Sequence, residues 1–454
     1  MTAFELRSSL ALAAVSGLRL LGMFIILPVF ALYAETLPGG ASHTMIGIAL
    51  GAYGLTQALL QVPFGWASDR WGRKPTIYVG LLLFAAGSFI AASASDIYWV
   101  TAGRIVQGSG AVSAAVIALT ADLTREVVRT KAMAIIGVTI GVTFAVSMVL
   151  GPVLDRWIGV PGIFALTGIL AIAAMALVRF GIADPAESIP VLKARASFGE
   201  VFLDPQLQRL NVGIFVLHAI LMALFVVVPF GLRSAGLPAS EHWTVYLPVM
   251  AASFVMMVPL IAYSERNHRH REAFVTAIGL LLVSVAVMMA LERSVANLFS
   301  GLLIFFFAFN FLEASLPSLV SRVAPAHAKG AAVGVYSSIQ FLGTALGAAA
   351  GGWLSHHGGE SSVFMFCGVL ALVWLVVAFG MSVPVTKTYP VPPMDSLRAD
   401  GLVEQLGALP GVKEVRILSS GDTAQLKVDT ARFDEDNALK LIHGEMPQWL
   451  PSTK

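Results

Sequence analysis

The chain is built from long apolar segments separated by short polar turns. Between residues 10 and 382, twelve mostly apolar stretches follow one another, each long enough to cross a bilayer core, which takes roughly 20 helical residues. Of the 454 residues, 57% are hydrophobic and 12% are charged, about half the charged share of a typical soluble protein. The sequence therefore predicts an all-α membrane protein. The predicted spans are residues 10–34, 44–64, 75–94, 97–121, 132–153, 160–181, 209–232, 243–263, 273–291, 295–320, 329–354 and 361–382.

The cations are unevenly distributed between the two sets of loops. Because cytoplasmic loops are enriched in lysine and arginine, the pattern predicts that both termini are cytoplasmic. The net charge of +2 is spread over many loops, which argues against nucleic-acid binding. The loops predicted to be cytoplasmic carry Arg70, Arg73, Lys74, Arg125, Arg129, Lys131, Lys193, Arg195, Arg209, Arg266, Arg269, Arg271, Arg322 and Lys329, and the opposite loops carry Arg156, Arg233 and Arg293.

A dense charged turn at residues 65–74, between the second and third spans, has a distinctive spacing. Its glycines allow a tight corner, its aspartate can accept backbone N–H groups at a helix start, and its cations hold it on the cytoplasmic side. An ordinary positively charged loop would need the cations, but it would need neither the glycines nor the aspartate. The pattern G-x-x-x-D-R-x-G-R-K resembles the signature loop between helices 2 and 3 of the major facilitator superfamily. Its residues here are Gly65, Asp69, Arg70, Gly72, Arg73 and Lys74.

This resemblance implies a fold of two six-helix halves that rock around a site near the membrane midplane. It implies a proton-coupled secondary transporter of the bacterial inner membrane, of the drug-exporting kind. In the family, an acidic residue at the inner end of helix 4 pairs with an arginine of the loop, which corresponds to Asp122 with Arg73. Asp69 would meet the N-terminal end of helix 11 near Lys329, and together these contacts would close the cytoplasmic side.

Two arginines lie inside predicted spans, where a lone guanidinium is unfavourable unless it is paired or faces water. Arg104 in the fourth span resembles the family's helix-4 arginine, which is implicated in proton coupling. Its side chain would either face the cavity or extend to the outer surface. Arg19 in the first span is either a cavity residue or an anchor at the cytoplasmic end.

Small residues form a face on the fifth span. Gly137, Gly141, Gly151 and Pro152 resemble the glycine-rich motif of proton antiporters, in which close packing prevents leaks. The match is partial because Leu154 and Asp155 follow the proline, and ordinary helix packing explains the same residues. We expect a break in the helix near Pro152.

Embedded titratable residues are the remaining candidates for a proton and substrate cavity. Glu313 lies within the tenth span beside Asn310, and His218 lies within the seventh. A histidine in a helical core is often satisfied by a neighbouring carbonyl group, whereas an intramembrane carboxylate more often has a function. Glu313 is therefore predicted to be the main proton-coupling residue.

The polar interval at residues 182–208 divides the predicted bundle into halves at 1–181 and 209–382. A proline-rich linker, 384–393, precedes a predicted cytoplasmic domain at 394–454. Within it, Ser396–Leu409 and Asp434–His443 have helical spacing, and Val412–Leu418 and Thr423–Val428 alternate as strands. These elements indicate a ferredoxin-like α/β fold. It resembles heavy-metal-associated domains, but the expected metal-binding position at 395–398 has no cysteine.

The sequence has no nucleotide-binding loop, zinc-ligand spacing or nucleophile elbow. Its one cysteine, Cys367, allows no intramolecular disulfide. No cofactor, metal or enzymatic activity is predicted. The predicted partners are a small-molecule substrate, protons and membrane lipid, together with a ligand or partner of the C-terminal domain. Alternatives are an uptake symporter or facilitator, and a membrane sensor that transports nothing.

Overall fold

The computed structural model describes residues 1–183, 198–267, 269–290, 294–324, 328–381, 385–391, 396–417, 423–428 and 432–443. These residues form a bundle of long helices followed by a small three-stranded sheet with two helices. The bundle helices are α1 (Ala3–Phe24), α2 (Leu27–Thr36), α3 (His43–Trp71), α4 (Arg73–Ala92), α5 (Ile97–Gly108), α6 (Ser113–Asp122), α7 (Glu126–Gly181), α8 (Phe198–Leu203), α9 (Pro205–Ser234), α10 (Trp243–Arg266), α11 (His270–Ala290), α12 (Val295–Val323) and α13 (Lys329–Phe379).

Ten helical segments of the described chain are long and apolar enough to cross a membrane. Two of them, Lys131–Gly181 and Lys329–Phe379, have 51 residues each, which at about 1.5 Å per residue is more than twice a bilayer core. Each turns at one glycine with a positive φ, 65° at Gly159 and 72° at Gly359. A side chain would strain the backbone there. Each long segment therefore makes two passes, and the ten segments account for the twelve predicted spans.

Two spans contain breaks in the helical backbone, and both lie in the first half. The first pass leaves the helix between α1 and α2, where Pro28 is in the opening turn of α2 and cannot donate a backbone hydrogen bond. The fourth pass is broken between α5 and α6, at residues 109–112. The expected break at Pro152 is wrong, because α7 continues through this proline and leaves helical geometry only at Gly159.

We call the side of the bundle with the 65–74 loop the inner side, and the side with residues 37–42 the outer side. The second half begins with α9 at Pro205, four residues before the predicted boundary at 209, because the Asp204 side chain accepts hydrogen bonds from the backbone N–H groups of Gln206 and Leu207. The polar residues predicted to separate the halves, Asp184 to Arg195, lie outside the described residues.

The small C-terminal sheet begins earlier than predicted. Strand β1 (Val385–Pro390) pairs antiparallel with β3 (Thr423–Val428), which also pairs antiparallel with β2 (Val412–Ile417), in the order β1-β3-β2. Residues 385–390 are thus part of the sheet, so their interpretation as a linker is wrong. With α14 (Ser396–Gly407) and α15 (Glu435–His443), the described order is β-α-β-β-α, which matches the first five elements of a ferredoxin-like fold. The predicted Gly421-Asp422 turn lies outside the described residues.

The sheet contacts the inner end of the bundle through Lys427. Its Nζ donates hydrogen bonds to the carbonyl oxygens of Val323 and Ala324 at 3.3 and 3.1 Å. A cation is favourable at the C-terminal end of a helix, here α12. Burial lowers the pKa of Lys427. Within the domain, hydrogen bonds from Lys387 and Tyr389 lower the pKa of Glu435.

Deleting the chain from residue 383 onward should leave the membrane bundle folded, because the domain has its own apolar core and its described polar contact with α12 is the Lys427 hydrogen bonds. We expect a loss of about 1 kcal/mol or less. Deleting from residue 394 instead leaves β1 without its partner strand, and an unpaired strand promotes aggregation. Size-exclusion chromatography and thermal melts of both truncations provide the test. If the protein truncated at residue 383 failed to accumulate, the membrane bundle would require the C-terminal domain in order to fold.

Candidate transport site

Arg19 is buried in the first half and contacts the break in the fourth pass. Its Nη1 donates to the Gly110 carbonyl oxygen at 3.3 Å and its Nη2 donates to Ser113 Oγ at 2.7 Å. With its amide oriented to satisfy both neighbours, Gln57 accepts from Arg19 at 3.0 Å and donates to the Gly108 carbonyl oxygen at 2.7 Å. Arg19 therefore stabilises the non-helical backbone between α5 and α6, and its side chain does not extend to the inner surface.

Arg104 is also enclosed by protein, with only 1% of its surface exposed. Its Nη1 donates to Gln107 Oε1 at 2.8 Å, its Nη2 lies 3.4 Å from the Leu50 carbonyl oxygen, and its guanidinium is 4.8 Å from the centre of the Tyr53 ring. Gln107 in turn donates to Ser88 at 2.9 Å. This network excludes an extension of Arg104 to the outer surface. The described residues place no carboxylate against either arginine.

The second half holds the embedded carboxylate. The Glu313 side chain is 31% exposed and lies in the interior of the bundle, where its Oε2 is 3.9 Å from His218 Nε2. Gln340 lies between the two groups, with its Nε2 2.8 Å from His218 Nε2 and 3.4 Å from Glu313 Oε1. His218 Nδ1 faces the Ile214 carbonyl oxygen at 3.3 Å. Three passes, from α9, α12 and α13, thus bring a carboxylate, an imidazole and an amide together.

Asn310 is one turn from Glu313 but has a different partner. Its Nδ2 donates to Ser253 Oγ at 3.0 Å, which joins α12 to α10. Both residues are buried. This hydrogen bond fixes the packing of two helices within the second half, and the structure does not bring Asn310 to the Glu313 cluster.

The signature loop has its own ion pairs on the inner side. Arg73 Nε donates to Asp122 Oδ2 at 3.0 Å, and its Nη1 contacts Asp69 and donates to Ser68 Oγ at 2.8 Å. Gly72, between α3 and α4, has a φ of 99°, which a side chain would disfavour. Arg70 stacks on the Trp66 ring at 5.3 Å. The structure thus brings Arg73, Asp122 and Asp69 together.

The two halves are tightly packed on the outer side. Glycines on α3 face the first pass of α13: a side-chain carbon at Gly47 would lie 2.3 Å from the Ala348 carbonyl oxygen, and one at Gly51 would lie 2.6 Å from that of Ala345. Above them, His43 Nδ1 lies 2.8 Å from Ser355 Oγ. Small residues therefore allow the two backbones to touch.

Further contacts between the halves surround this packing. Arg233 Nη1 donates to Glu35 at 2.7 Å, which joins α9 to α2. Near the midplane, the Phe144 ring of α7 lies 5.5 and 6.1 Å from those of Phe309 and Phe306 on α12. We call the contacts from Phe144 and the phenylalanines of α12 outward to Arg233 the outer contact.

The halves are separated on the inner side. A β-carbon added at Gly330 or Gly334 on α13, or at Gly137 or Gly141 on α7, would meet no heavy atom of the described residues within 4 Å, the local backbone aside. The Asp69 side chain is 69% exposed, and the expected contact between Asp69 and the start of α13 is not present in the described chain. The structure is therefore closed outside and open inside.

The glycine motif of the fifth pass is thus divided between two environments. Gly151 packs against the break between α1 and α2, since a side-chain carbon there would lie 2.4 Å from the Ile25 carbonyl oxygen. Pro152 follows within the same continuous helix. Gly137 and Gly141 have no described atom within 4 Å of an added β-carbon. Close packing in this conformation therefore involves only the outer part of the motif.

Sequence reasoning missed several residues of the site. Gln340 and Gln57 are amides among apolar neighbours, and embedded amides could have been included with the titratable groups. Glu5 forms a bidentate ion pair with Arg125, with its Oε1 2.8 Å from Nε and its Oε2 3.2 Å from Nη2. His43 lies just before a predicted span, and no sequence pattern around it indicates a contact with the other half.

Comparisons with known proteins match this architecture. The profile of the Major Facilitator Superfamily matches residues 12–348 and 311–419. The chain belongs to the major facilitator superfamily. The transporter is 44% identical over 450 residues to the inner membrane transport protein YajR of Escherichia coli K12, covering 97% of this chain and 98% of YajR. It is 25% identical over 351 residues to the multidrug resistance protein MdtH of Klebsiella pneumoniae 342, covering 74% and 84% of the two chains.

A solved structure shares the fold. A bacterial homologue of the human lysosomal transporter Spinster superimposes on the transporter with a TM-score of 0.69 at 14% identity, covering 84% of this chain and 97% of that one. The family profile and the likeness to YajR make the chain a secondary transporter of this superfamily, and the solved structure shares its fold.

The substitution Gly47→Val should prevent the outer contact from closing, because its side chain would overlap the Ala348 carbonyl oxygen. Spin labels at Ala41→Cys and His357→Cys, in a Cys367→Ser background, report the outer separation by double electron–electron resonance. We expect a distance increase of several ångströms. Gly279→Val is the matched control, since its side chain would meet no atom within 4 Å. Equal distances in both variants would contradict the assignment of the outer contact.

Proposed function

We propose that the transporter exports a small, largely apolar molecule in exchange for protons, and that Glu313 carries the proton. One observation supports this most strongly: a carboxylate inside the bundle lies beside an imidazole at 3.9 Å, on the inner side of the phenylalanines that join the halves. Intramembrane carboxylates are unfavourable, and those that occur commonly belong to ion or proton pathways.

The position of Glu313 along α12 supports proton release toward the inner side. Phe309, one helical turn away toward the outer side, contacts Phe144 across the halves. Beyond Glu313 the halves separate. In this conformation a proton leaving Glu313 would have a route inward, whereas the outer contact blocks the opposite route. Opening of the outer side would reverse this access, as alternating access requires.

The bonding of Glu313 explains how a proton could change its surroundings. Its Oε2 has no hydrogen-bond partner in the described structure, and its Oε1 accepts only from Gln340. A carboxylate with so few donors is poorly stabilised in a medium of low polarity. A proton neutralises it and makes it a donor, so its hydrogen bonding with His218 and Gln340 would change.

Two further observations support the substrate class and the location. Rings of Phe144, Phe306, Phe309 and Phe341 line the region where the halves meet, and such surfaces suit apolar molecules. One relative is named a multidrug resistance protein and another an inner membrane transport protein. We infer an inner-membrane location, with the inner side and both termini in the cytoplasm.

A transport assay in oriented vesicles tests direction and coupling together. Inside-out membrane vesicles containing the transporter are given an acidic interior and a panel of fluorescent apolar dyes. We expect dye accumulation that is lost when a protonophore removes the pH gradient. Accumulation only in right-side-out vesicles would instead establish uptake, and no dye or proton movement in either orientation would favour a sensor.

Glu313→Gln imitates the protonated carboxylate and should abolish accumulation driven by the pH gradient, while dye exchange without a gradient persists. Glu241→Gln, an exposed residue of the outer loop, provides the matched control and should retain normal transport. Normal gradient-driven accumulation in Glu313→Gln would eliminate this residue from coupling, with His218 and Asp122 the next to test.

Asp69→Asn should keep the transporter folded but weaken closure of the inner side. We propose that, when that side closes, the exposed Asp69 meets the N-terminal end of α13, an interaction worth about 0.3 to 2 kcal/mol. Thiol labelling at Gly334→Cys, in a Cys367→Ser background, should therefore be faster in the Asn variant. Asp436→Asn in the C-terminal domain is the control, and equal labelling rates for both variants would refute the contact.

A further inference from the structure

The contacts of Gln340 determine the protonation of its neighbours. With Glu313 ionised, the carboxylate only accepts hydrogen bonds, and the Gln340 Nε2 group, 3.4 Å from Glu313 Oε1, is the donor. The same Nε2 lies 2.8 Å from His218 Nε2. Because an amide nitrogen donates and does not accept, His218 Nε2 must be the acceptor.

The second ring nitrogen of His218 agrees with this assignment. If Nε2 is an acceptor, the imidazole is neutral and its hydrogen is on Nδ1. His218 Nδ1 lies 3.3 Å from the Ile214 carbonyl oxygen, which accepts that hydrogen. One amide on α13 thus defines the tautomer of a histidine on α9 and donates to a carboxylate on α12.

We propose, building on the proposed role of Glu313 in proton coupling, that Gln340 is a positioning residue that holds His218 in its neutral Nδ1–H tautomer and Glu313 as a carboxylate while the inner side is open. A proton arriving at His218 Nε2 turns that acceptor into a donor. The Gln340 amide must then rotate to present its oxygen, and its N–H donation to Glu313 is lost. The carboxylate, 3.9 Å from the same nitrogen, becomes the counter-ion of the imidazolium.

Few other polar groups among the described residues lie near Glu313 and His218. Among the described residues, a third titratable group, Tyr336 of α13, interacts electrostatically with Glu313. The Phe309 ring lies 5.9 Å from the imidazole and offers no conventional hydrogen bond. The described residues place no lysine or arginine against Glu313 or His218.

Gln340 is also adjacent to the outer contact. Its neighbour Phe341 faces α3, where a side-chain carbon at Gly54 would lie 2.9 Å from the Phe341 carbonyl oxygen, and its ring lies 6.4 Å from Tyr53. A rotation of the Gln340 amide therefore occurs in the turn of α13 where the halves separate. This placement connects the protonation of the pair to the helix that must move.

Histidine-selective ¹⁵N nuclear magnetic resonance of the full transporter tests the tautomer. The His218 signal is assigned by its loss in His218→Gln. We expect a neutral ring with its hydrogen on Nδ1, and we expect Gln340→Met to mix the tautomers and move ring protonation to higher pH by about one unit, a tenfold gain in proton affinity. An Nε2–H tautomer in the unmodified protein, or identical spectra in Gln340→Met, would overturn the proposal.

Infrared titration of the carboxyl band separates this proposal from the proposed function. A band that titrates and is lost in Glu313→Gln establishes that Glu313 binds a proton, and Gln340→Met should move its midpoint to higher pH by about one unit. If no band responds to Glu313→Gln, the coupling role of Glu313 fails. If the band is present but its midpoint is the same in Gln340→Met, only the role of Gln340 fails.

Two variants control for general disturbance of α13. Ser338 lies on the same helix, and its buried hydroxyl group has no hydrogen-bond partner among the described residues. Ser338→Ala should therefore leave both titrations unchanged. Gln340→Asn keeps the amide but shortens it, so it cannot reach both neighbours. It should show a shift in the same direction as Gln340→Met, and it supplies the measurement if that variant does not fold. An unchanged titration in Gln340→Asn would count against the proposal.

Discussion

Hydrocarbon offers no hydrogen bonds, so each charged group inside the bundle must find its partners within the protein. Arg104 does so with the Gln107 amide, the Leu50 carbonyl group and the Tyr53 ring, and Arg19 does so at the backbone break between α5 and α6. Arg104 Nε and Glu313 Oε2 each lack a hydrogen-bond partner in the described chain. The guanidinium stays charged and keeps its other contacts, whereas a proton can neutralise the carboxylate.

The two halves meet through backbone contact on one side only. On the outer side, glycines of α3 lie against carbonyl groups of α13, and the stacked rings of His43 and Phe230 and the Arg233–Glu35 ion pair complete the contact. On the inner side, the glycines of α7 and α13 named above have no described atom within 4 Å of an added β-carbon. Packed helices slide or rock more readily than they bend. The same α13 carries Gln340, so the proton site and the moving contact share one element.

The sequence predicts the parts of this structure that follow from composition and spacing. Apolar length gives the twelve passes, and the signature loop gives the Arg73–Asp122 pair. What it misses depends on three-dimensional packing. Gln340 and His43 become informative only when α13 is placed beside α9 and α3. Proline alone suggested a break at Pro152, but α7 continues through it and leaves helical geometry only at Gly159. Likewise, residues 385–390 resemble a linker in sequence, and only their pairing with β3 in the structure identifies them as a strand.

We propose that protonation of Glu313 shifts the balance between the closed and open states of the outer side. The distance distribution between spin labels on the two halves at the outer side, recorded between about pH 5 and about pH 8, tests this proposal. We expect the populations to change with pH in the unmodified transporter and to stay at the low-pH values in Glu313→Gln. Populations that change equally with pH in both proteins would contradict it.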